Sequence, residues 1–250
     1  MRTSPGITMV IDGGLPTAAF TDLVTSHGDY IDLVKFGWGT ALVTRDLDRK
    51  AGVLREAAIG FYFGGTLFEH QLWTGRLDEY LQLVRRTGAT HIEVSNGTIP
   101  LDQRAKAEHV RRMSQYRPVL SEVGYKDADR SARLTPAQWV DAMGEDLDAG
   151  AMMVVTEARE SGLSGIARPD GHLRRDVLDA VIDNLPTAQV MFEAPTKTLQ
   201  VELITALGPD VNLGNVASSD VLGAETLRRG LRGDTLLHVA TIPSSPSSGA

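Results

Sequence analysis

The stretch DYIDLVKFGWGT (residues 29–40) holds a short apolar run that contains one lysine near its end and is followed by two glycines around a tryptophan. The run itself, YIDLVKFG (30–37), is rich in β-branched and large apolar residues and is too short for a helix, so it predicts a buried strand. Lys35 would then lie where that strand ends. The role of a charge at such a position depends on the fold, which the other apolar runs of the chain indicate.

Seven further runs share the same features. Each is short and apolar, and each ends in glycine, proline or a charge, so each predicts a strand. They are TMVID (8–12), AIGFYFGG (58–65), HIEVSNG (91–97), PVLSEVG (118–124), AMMVVTEA (151–158), QVMFEAP (189–195) and VNLGNV (211–216). The segments between them have helical spacing, as in 77–88 and in 135–150, where Thr135 and Pro136 mark a helix start and Gly150 an end.

The alternation of about eight strands with helices predicts the fold. Strands that are apolar on both faces suit a parallel sheet covered by helices, and eight such units in this length predict an α/β protein, a single-domain (β/α)₈ TIM barrel over residues 1–240. An open doubly wound sheet is the alternative, which is disfavoured because neither GxGxxG nor GxxxxGK[ST] follows the first strand. The Pro/Ser-rich tail, 241–250, is predicted to be disordered.

Composition restricts the class of protein. The chain has 250 residues, 42% of them hydrophobic, which suffices for a substantial core. It has no cysteine, which excludes disulfides and thiolate chemistry and favours a cytoplasmic setting. No apolar stretch reaches the roughly 18 residues of a membrane span, and a net charge of −7 argues against a nucleic-acid surface. We therefore expect a soluble protein that contacts neither membrane nor nucleic acid.

Charged residues recur at the predicted strand ends, where the reacting groups of such barrels lie. Besides Lys35, these positions hold Asp12, Glu93, Glu122, Glu157, Glu193 and Asn212 or Asn215, and Lys126 and Arg159 follow shortly after two of the glutamates. Each charge alone fits a solvated strand end, but repetition over consecutive strands predicts a shared site. Carboxylates that converge there would raise one another's pKa unless a cation lay among them. That cation would be Mg²⁺ or the ammonium groups of Lys35 and Lys126.

Two loops could bind an anion. ARESG (158–162) joins Arg159 to the small residues Ser161 and Gly162, which favours an anion site over a plain turn. LRRGLRGDT (227–235) places Arg232 in the region where barrels often bind phosphate, although arginines at a helix C-terminus are equally expected from the helix dipole.

The chain resembles the phosphosulfolactate synthase family of coenzyme M biosynthesis, whose relatives include plant heat-stress-associated proteins. The resemblance covers about residues 8–239 and depends on a series of motifs in the same order. They are GDYIDLVKFGWGT (28–40), GGTLFE (64–69), SEVGYK (121–126), DLDAGA (146–151), EARESG (157–162), FEAP (192–195) and ETLRRGLRGDT (225–235).

The resemblance implies a homo-oligomeric, Mg²⁺-dependent barrel that adds sulfite to C3 of phosphoenolpyruvate. Negative charge would pass to the substrate carboxylate as an enediolate stabilised by Mg²⁺, and Lys126 would protonate C2. The metal ligands would come from Glu122, Glu157 and Glu193. Lys35 would be the second catalytic residue, and Arg159, Ser161, Gly162, Asn215 and Arg232 would bind the substrate.

Several positions depart from the family pattern. Gly13 and Tyr125 stand where lysines are expected, and Asn96 replaces an aspartate. Because sulfite is an anion, loss of two cations leaves open a second hypothesis, in which the phosphoenolpyruvate half-site is kept and a different nucleophile is added. A third hypothesis, a non-catalytic barrel like the stress-associated relatives, is disfavoured because the lysines and glutamates of the predicted site are retained.

Overall fold

The computed structural model describes residues 6–239, in which eight strands alternate with helices. The strands are Thr8–Asp12 (β1), Leu33–Phe36 (β2), Gly60–Phe63 (β3), Ile92–Val94 (β4), Val119–Val123 (β5), Met153–Thr156 (β6), Val190–Glu193 (β7) and Leu213–Ala217 (β8). The helices are Thr17–His27 (α1), Leu47–Glu56 (α2), Gly65–Trp73 (α3), Leu77–Thr87 (α4), Gln103–Ser114 (α5), Ala128–Ala132 (α6), Pro136–Asp148 (α7), Arg175–Asn184 (α8), Lys197–Leu207 (α9), Val221–Arg228 (α10) and Leu236–Val239 (α11). All eight predicted strands are present.

The strands form one parallel sheet in the order β3-β2-β1-β8-β7-β6-β5-β4. The two edge strands approach each other, and Thr90 joins them in place of a regular ladder. Its amide donates to the carbonyl of Phe61 at 2.9 Å, and its hydroxyl accepts from the amide of Phe61 at 2.8 Å. The result is a nearly closed barrel, so the predicted (β/α)₈ fold is confirmed and the open doubly wound sheet is excluded.

The predicted helix start at Thr135 is confirmed in detail. The Thr135 side chain accepts from the amide of Gln138, the Gln138 side chain accepts from the amide of Thr135, and Pro136 occupies the first turn. This reciprocal arrangement satisfies two amides that have no partner within the helix. Helix α7 therefore begins where the sequence indicates.

Alternating strand residues divide the core into two layers. Among residues 6–239, one cluster of buried hydrophobic side chains fills the barrel interior, namely Met9, Leu33, Tyr62, Leu120, Met153, Val155 and Met191. Their neighbours along the strands, such as Val10 and Ile92, pack against the helices instead. Because side chains alternate across a strand, Glu93 turns away from the helix layer to which Ile92 and Val94 belong.

Two predicted strand-end residues lie outside the barrel mouth. Asp12 pairs with buried Lys50 at 2.6 Å and accepts from the amides of Gly14 and Leu15, so it anchors helix α2 and the first loop. Asn212 bonds to Ile7 and Val190 at the opposite end of the barrel. The expectation that Asp12 joins the shared site is therefore wrong, and of the two alternatives Asn212 and Asn215, it is Asn215 that lines the cavity.

No helix within residues 6–239 is both long and apolar enough to cross a membrane. The tail 241–250 lies outside the described residues, and the boundary at residue 240 stays a prediction.

Candidate active site

A cavity of about 330 Å³ opens at the carboxyl ends of the strands. It has a charged side and an apolar side, and the apolar side includes Ile11, Trp38, Pro195 and Ala217. The charged residues of its lining are Lys35, Glu93, Glu122, Lys126, Glu157, Arg159, Glu160 and Glu193. The predicted shared site at the strand ends is therefore present, and Glu93, Glu122, Glu157 and Glu193 reach it from four consecutive strands or the residues that directly follow them.

Lys35 is the centre of the deeper part of the cluster. Its ammonium group lies 3.1 Å from Glu93, 3.2 Å from Glu122 and 3.2 Å from Glu193. Burial lowers the pKa of Lys35, but the three carboxylates outweigh burial and raise it well above its usual range. The lysine is thus held charged, and it joins strand β2 to β4, β5 and β7 through ionic contacts.

Lys126 occupies the outer part of the cluster. Its ammonium group lies 2.7 Å from Glu157 and 3.2 Å from Glu122, and a quarter of its side chain remains exposed. Burial lowers the pKa of Lys126, and the charges of Glu122 and Glu157 overcome burial and raise it. Arg159 lies beside it and donates to the Lys126 carbonyl at 3.1 Å. The site thus presents a charged amine that reaches both the carboxylates and the open mouth.

Backbone amides fix two of the carboxylates. The amide of Ala158 donates to Glu193 at 2.8 Å, and the amide of Gly65, at the start of helix α3, donates to Glu93 at 2.5 Å. Amide donors favour the ionised carboxylate, and the positive end of a helix dipole adds to this at Glu93. Glu93 and Glu193 are therefore each held by a backbone amide from the segments that follow strands β3 and β6.

The cluster carries more negative than positive groups. Four carboxylates contact two ammonium groups, so two negative charges are unmatched within the cluster. Burial raises the pKa of Glu93 to about 7, and burial together with neighbouring carboxylates raises the pKa of Glu157 and of Glu193. Glu122 behaves oppositely, since Lys126 and Lys35 overcome the effect of its burial and lower its pKa. Two protons or one divalent cation would balance the site.

The residues predicted to bind a metal fit a divalent cation. Glu122, Glu157 and Glu193 are buried, and each offers a carboxylate oxygen within 4.8 Å of the other two. Three buried carboxylate oxygens this close to one another offer the anionic oxygen ligands that Mg²⁺ takes in proteins. The donor set is all oxygen, which suits Mg²⁺ rather than zinc.

Asn215 reaches the cavity because strand β8 is irregular. Thr8 pairs with Leu213 while Val10 pairs with Val216, so β8 holds one residue more than β1 over the same span. Asn215, within this bulge, has a positive φ of 50°, a conformation that asparagine tolerates better than most residues. Its buried side-chain oxygen has no hydrogen-bond partner within the described chain, and the residue lines the cavity.

The other residues predicted to bind substrate lie elsewhere. Among the described residues, the cavity lining does not include Ser161, Gly162 or Arg232. Ser161 is exposed, and Arg232 contacts Asp234 at 3.6 Å beyond helix α10. Their role in substrate binding stays a prediction, whereas Arg159 and Asn215 line the cavity as expected.

Two departures from the family pattern have local explanations. A Cβ at Gly13 would lie 2.3 Å from the Trp38 ring, so the indole covers the position where the family pattern has a lysine. Tyr125 stacks under the guanidinium of Arg130, which lies 3.5 Å from the ring centre. The sequence interpretation missed Trp38 as a wall of the site, because only the fold brings the loops after β1 and β2 together.

Comparison with known proteins identifies the family. Residues 2–234 match the family described as (2R)-phospho-3-sulfolactate synthase (ComA). A phosphosulfolactate synthase of Bacillus subtilis (strain 168) is 44% identical over 231 residues, which cover 92% of each chain. One from Methanocaldococcus jannaschii is 41% identical over 235 residues, covering 92% of this chain and 93% of that one.

Similar solved structures support the fold alone. A 3-keto-L-gulonate-6-phosphate decarboxylase from Vibrio cholerae superposes with a TM-score of 0.57 at 10% identity, covering 95% of this chain and all of that one. A 3-hexulose-6-phosphate synthase from Salmonella typhimurium gives 0.56 at 16% identity, covering 92% and 98%. The strand-end cavity, the retained motifs and the extent of the match to named relatives together show that this chain belongs to the phosphosulfolactate synthase family of enzymes.

Proposed function

We propose that this protein adds sulfite to C3 of phosphoenolpyruvate and so forms phosphosulfolactate. The observation that carries the proposal is the Lys126 ammonium group, held between Glu122 and Glu157 at an open mouth, in a chain of this family. In the reaction, the sulfur forms a bond to C3, the π bond between C2 and C3 breaks and its electron pair passes to C2 and the adjoining carboxylate, and one proton then joins C2. The phosphate ester is retained, so the site needs an acid, an anion-binding group and no leaving-group catalyst.

Lys126 is the acid in this proposal. Its raised pKa keeps it protonated before reaction, and the carbanionic C2 that follows attack on C3 is a strong enough base to accept the proton. Glu122 and Glu157 hold the amine in place and stabilise it when charged. The proton therefore comes from a defined direction, as a product with one configuration at C2 requires.

Arg159 is the group best suited to bind the substrate's anionic groups. Lys35 is already surrounded by three carboxylates, so its charge is more than matched within the cluster. Arg159 lines the same cavity, and its hydrogen bond to the Lys126 carbonyl uses one of the five donors of a guanidinium group. We assign Lys35 to the positioning of the glutamates and Arg159, with Asn215, to the substrate.

Glu122, Glu157 and Glu193 would hold Mg²⁺. When bound, the ion would stabilise negative charge on the substrate carboxylate and offset the carboxylate charges that raise the pKa of Lys126.

A second candidate function keeps the phosphoenolpyruvate half-site and adds another nucleophile. Trp38 supports it, because an indole covers Gly13 at the mouth where the family pattern has a lysine. A less positive mouth attracts a small anion less strongly. A thiol is then the competing nucleophile to test.

An activity assay decides among the hypotheses. Purified protein is incubated with phosphoenolpyruvate, Mg²⁺ and either sulfite or a thiol, and the enolpyruvate absorbance is followed. Loss of enolpyruvate absorbance that requires sulfite supports the synthase. Loss that requires the thiol supports the second function. If the absorbance does not fall with either nucleophile and the protein does not bind phosphoenolpyruvate, the result supports the hypothesis of a non-catalytic barrel.

A further inference from the structure

Glu69, on helix α3, is a buried carboxylate outside the cavity lining, with only 2% of its surface exposed. It accepts four hydrogen bonds from the loop that follows strand β4. One oxygen accepts from the Ser95 hydroxyl at 2.5 Å and the Gly97 amide at 3.1 Å. The other accepts from the amides of Thr98 at 2.7 Å and Ile99 at 2.9 Å. Three consecutive amides thus enclose this carboxylate as they would a bound anion.

The loop that Glu69 holds is in direct contact with Lys126. The carbonyl of Gly97 accepts from the amide of Lys126 at 3.1 Å. A Cβ at Gly97 would lie 3.2 Å from the Lys126 Cγ, so the backbone of the loop also packs closely along the lysine side chain. Any shift of the loop would therefore shift both the backbone and the side chain of Lys126.

The same helix also contacts the other half of the carboxylate cluster. The amide of Gly65, at its first residue, donates to Glu93, which in turn contacts Lys35. Helix α3 therefore contacts Glu93 at its start and, one turn later, fixes the loop that supports Lys126. A small displacement here would change the distance between the acid and the substrate.

We propose that Glu69 is a positioning residue that sets the location of the Lys126 amine through the 95–99 loop. This inference depends on the proposed function, in which Lys126 protonates C2. A carboxylate is required because all four contacts are donors, and an ionised group accepts them more strongly than a neutral one. A glutamine at this position would have nearly the same size as glutamate, but its NH₂ group would face hydrogen-bond donors of the loop and could not accept from them.

Glu69→Gln is the test, with Glu225→Gln as the matched control. Glu225, like Glu69, is a buried glutamate that accepts a hydrogen bond, in its case from Arg229. It lies on helix α10 and does not line the cavity. We expect Glu69→Gln to lower kcat by about 10- to 100-fold with KM changed less than about threefold, because misplacement of a catalytic group by about 1 Å has effects of this size. Glu225→Gln should leave kcat unchanged.

A double-mutant cycle with Lys126→Ala separates positioning from general weakening of the fold. If Glu69 acts through Lys126, Glu69→Gln in the Lys126→Ala background should lower the residual rate by less than about twofold. An equal loss in both backgrounds would overturn the proposal. Ser95→Ala, which removes one of the four donors, gives a milder variant if Glu69→Gln does not fold, and we expect a smaller kcat loss with the same non-additivity.

Amide hydrogen exchange tests the same contact without substrate. In Glu69→Gln, or in Ser95→Ala in its place, exchange should become about tenfold faster at residues 97–99 and at the Lys126 amide, and should be unchanged in helix α10. Unchanged exchange at Lys126 would overturn the proposal even for an active enzyme. An inactive wild type whose Lys126 amide responds in this way would instead refute the proposed function and leave the structural link intact.

Discussion

Replacement of Glu157 by glutamine tests whether the carboxylate cluster binds a divalent cation. Glu157 offers one of the three clustered oxygens and accepts from Lys126 at 2.7 Å. Its pKa is raised, first by burial and then by Glu122 and Glu193, so the folded protein disfavours the ionised form of this carboxyl group. Without metal, Glu157→Gln replaces this carboxyl group by a neutral amide of the same size, so the cost of burying a carboxylate beside Glu122 and Glu193 is no longer present. The variant should then be as stable as the wild type or more stable.

Added Mg²⁺ should stabilise the wild type more than the variant. At 100 times its dissociation constant, a ligand that binds only the folded state stabilises it by about 2.7 kcal/mol, which raises Tm by roughly 5–10 °C for a chain of this size. If loss of one anionic ligand weakens Mg²⁺ tenfold, the variant gains only about 1.4 kcal/mol at the same concentration, or roughly 3–6 °C.

Thermal melting of both proteins with Mg²⁺ and with chelator measures these gains. Glu56→Gln, an exposed residue of helix α2, serves as the control and should follow the wild type. A wild type whose Tm is the same in Mg²⁺ and in chelator would refute the metal assignment. Lys35 and Lys126 would then be the only counter-charges of the cluster.

Three further predictions concern single lysine or histidine positions. Lys126→Ala should lower kcat by at least about 100-fold with the circular dichroism spectrum retained, and near-normal turnover would remove Lys126 from the mechanism. Lys106→Met should cost about 3–5 kcal/mol in urea unfolding, because it leaves buried Asp146 without the ammonium group now at 2.7 Å; a loss below about 1 kcal/mol would contradict this. His172→Ala should destabilise the protein most between pH 4.5 and 6.5, which are the ordinary pKa values of Glu202 and His172. The hydrogen bond between the two side chains raises the pKa of His172. Burial raises the pKa of Glu202, but the contacts with His172 and the Leu173 amide outweigh burial and lower it. That effect should disappear as pH rises through the raised pKa of His172, which urea unfolding across pH would show.

The sequence predicted the barrel and most of the charged cluster for one physical reason. In a parallel barrel all strands end at the same face, so a charge at each strand end becomes a shared site without knowledge of any contact. Glu122, Glu157 and Glu193 obey this rule. Asp12 does not, because it lies on the same strand face as Val10, which packs against the helices, and position along the strand does not reveal the face.

The remaining parts of the site depend on contacts between distant segments. The bulge that turns Asn215 into the cavity comes from the pairing of β8 with β1. The contact of Trp38 with Gly13 and that of Glu69 with the 95–99 loop each join separate loops. Periodicity and strand-end rules describe single segments, so they carry no signal for such contacts.

Product analysis after reaction in D₂O tests the proposed function most directly. With phosphoenolpyruvate, sulfite and Mg²⁺, we predict a phosphorylated sulfonate in which C2 carries one deuterium, C3 remains an undeuterated CH₂ bonded to sulfur, and no inorganic phosphate is released. Proton, carbon and phosphorus NMR with mass spectrometry read all three features. Unchanged phosphoenolpyruvate, release of phosphate, or an adduct that forms without sulfite would contradict the assignment.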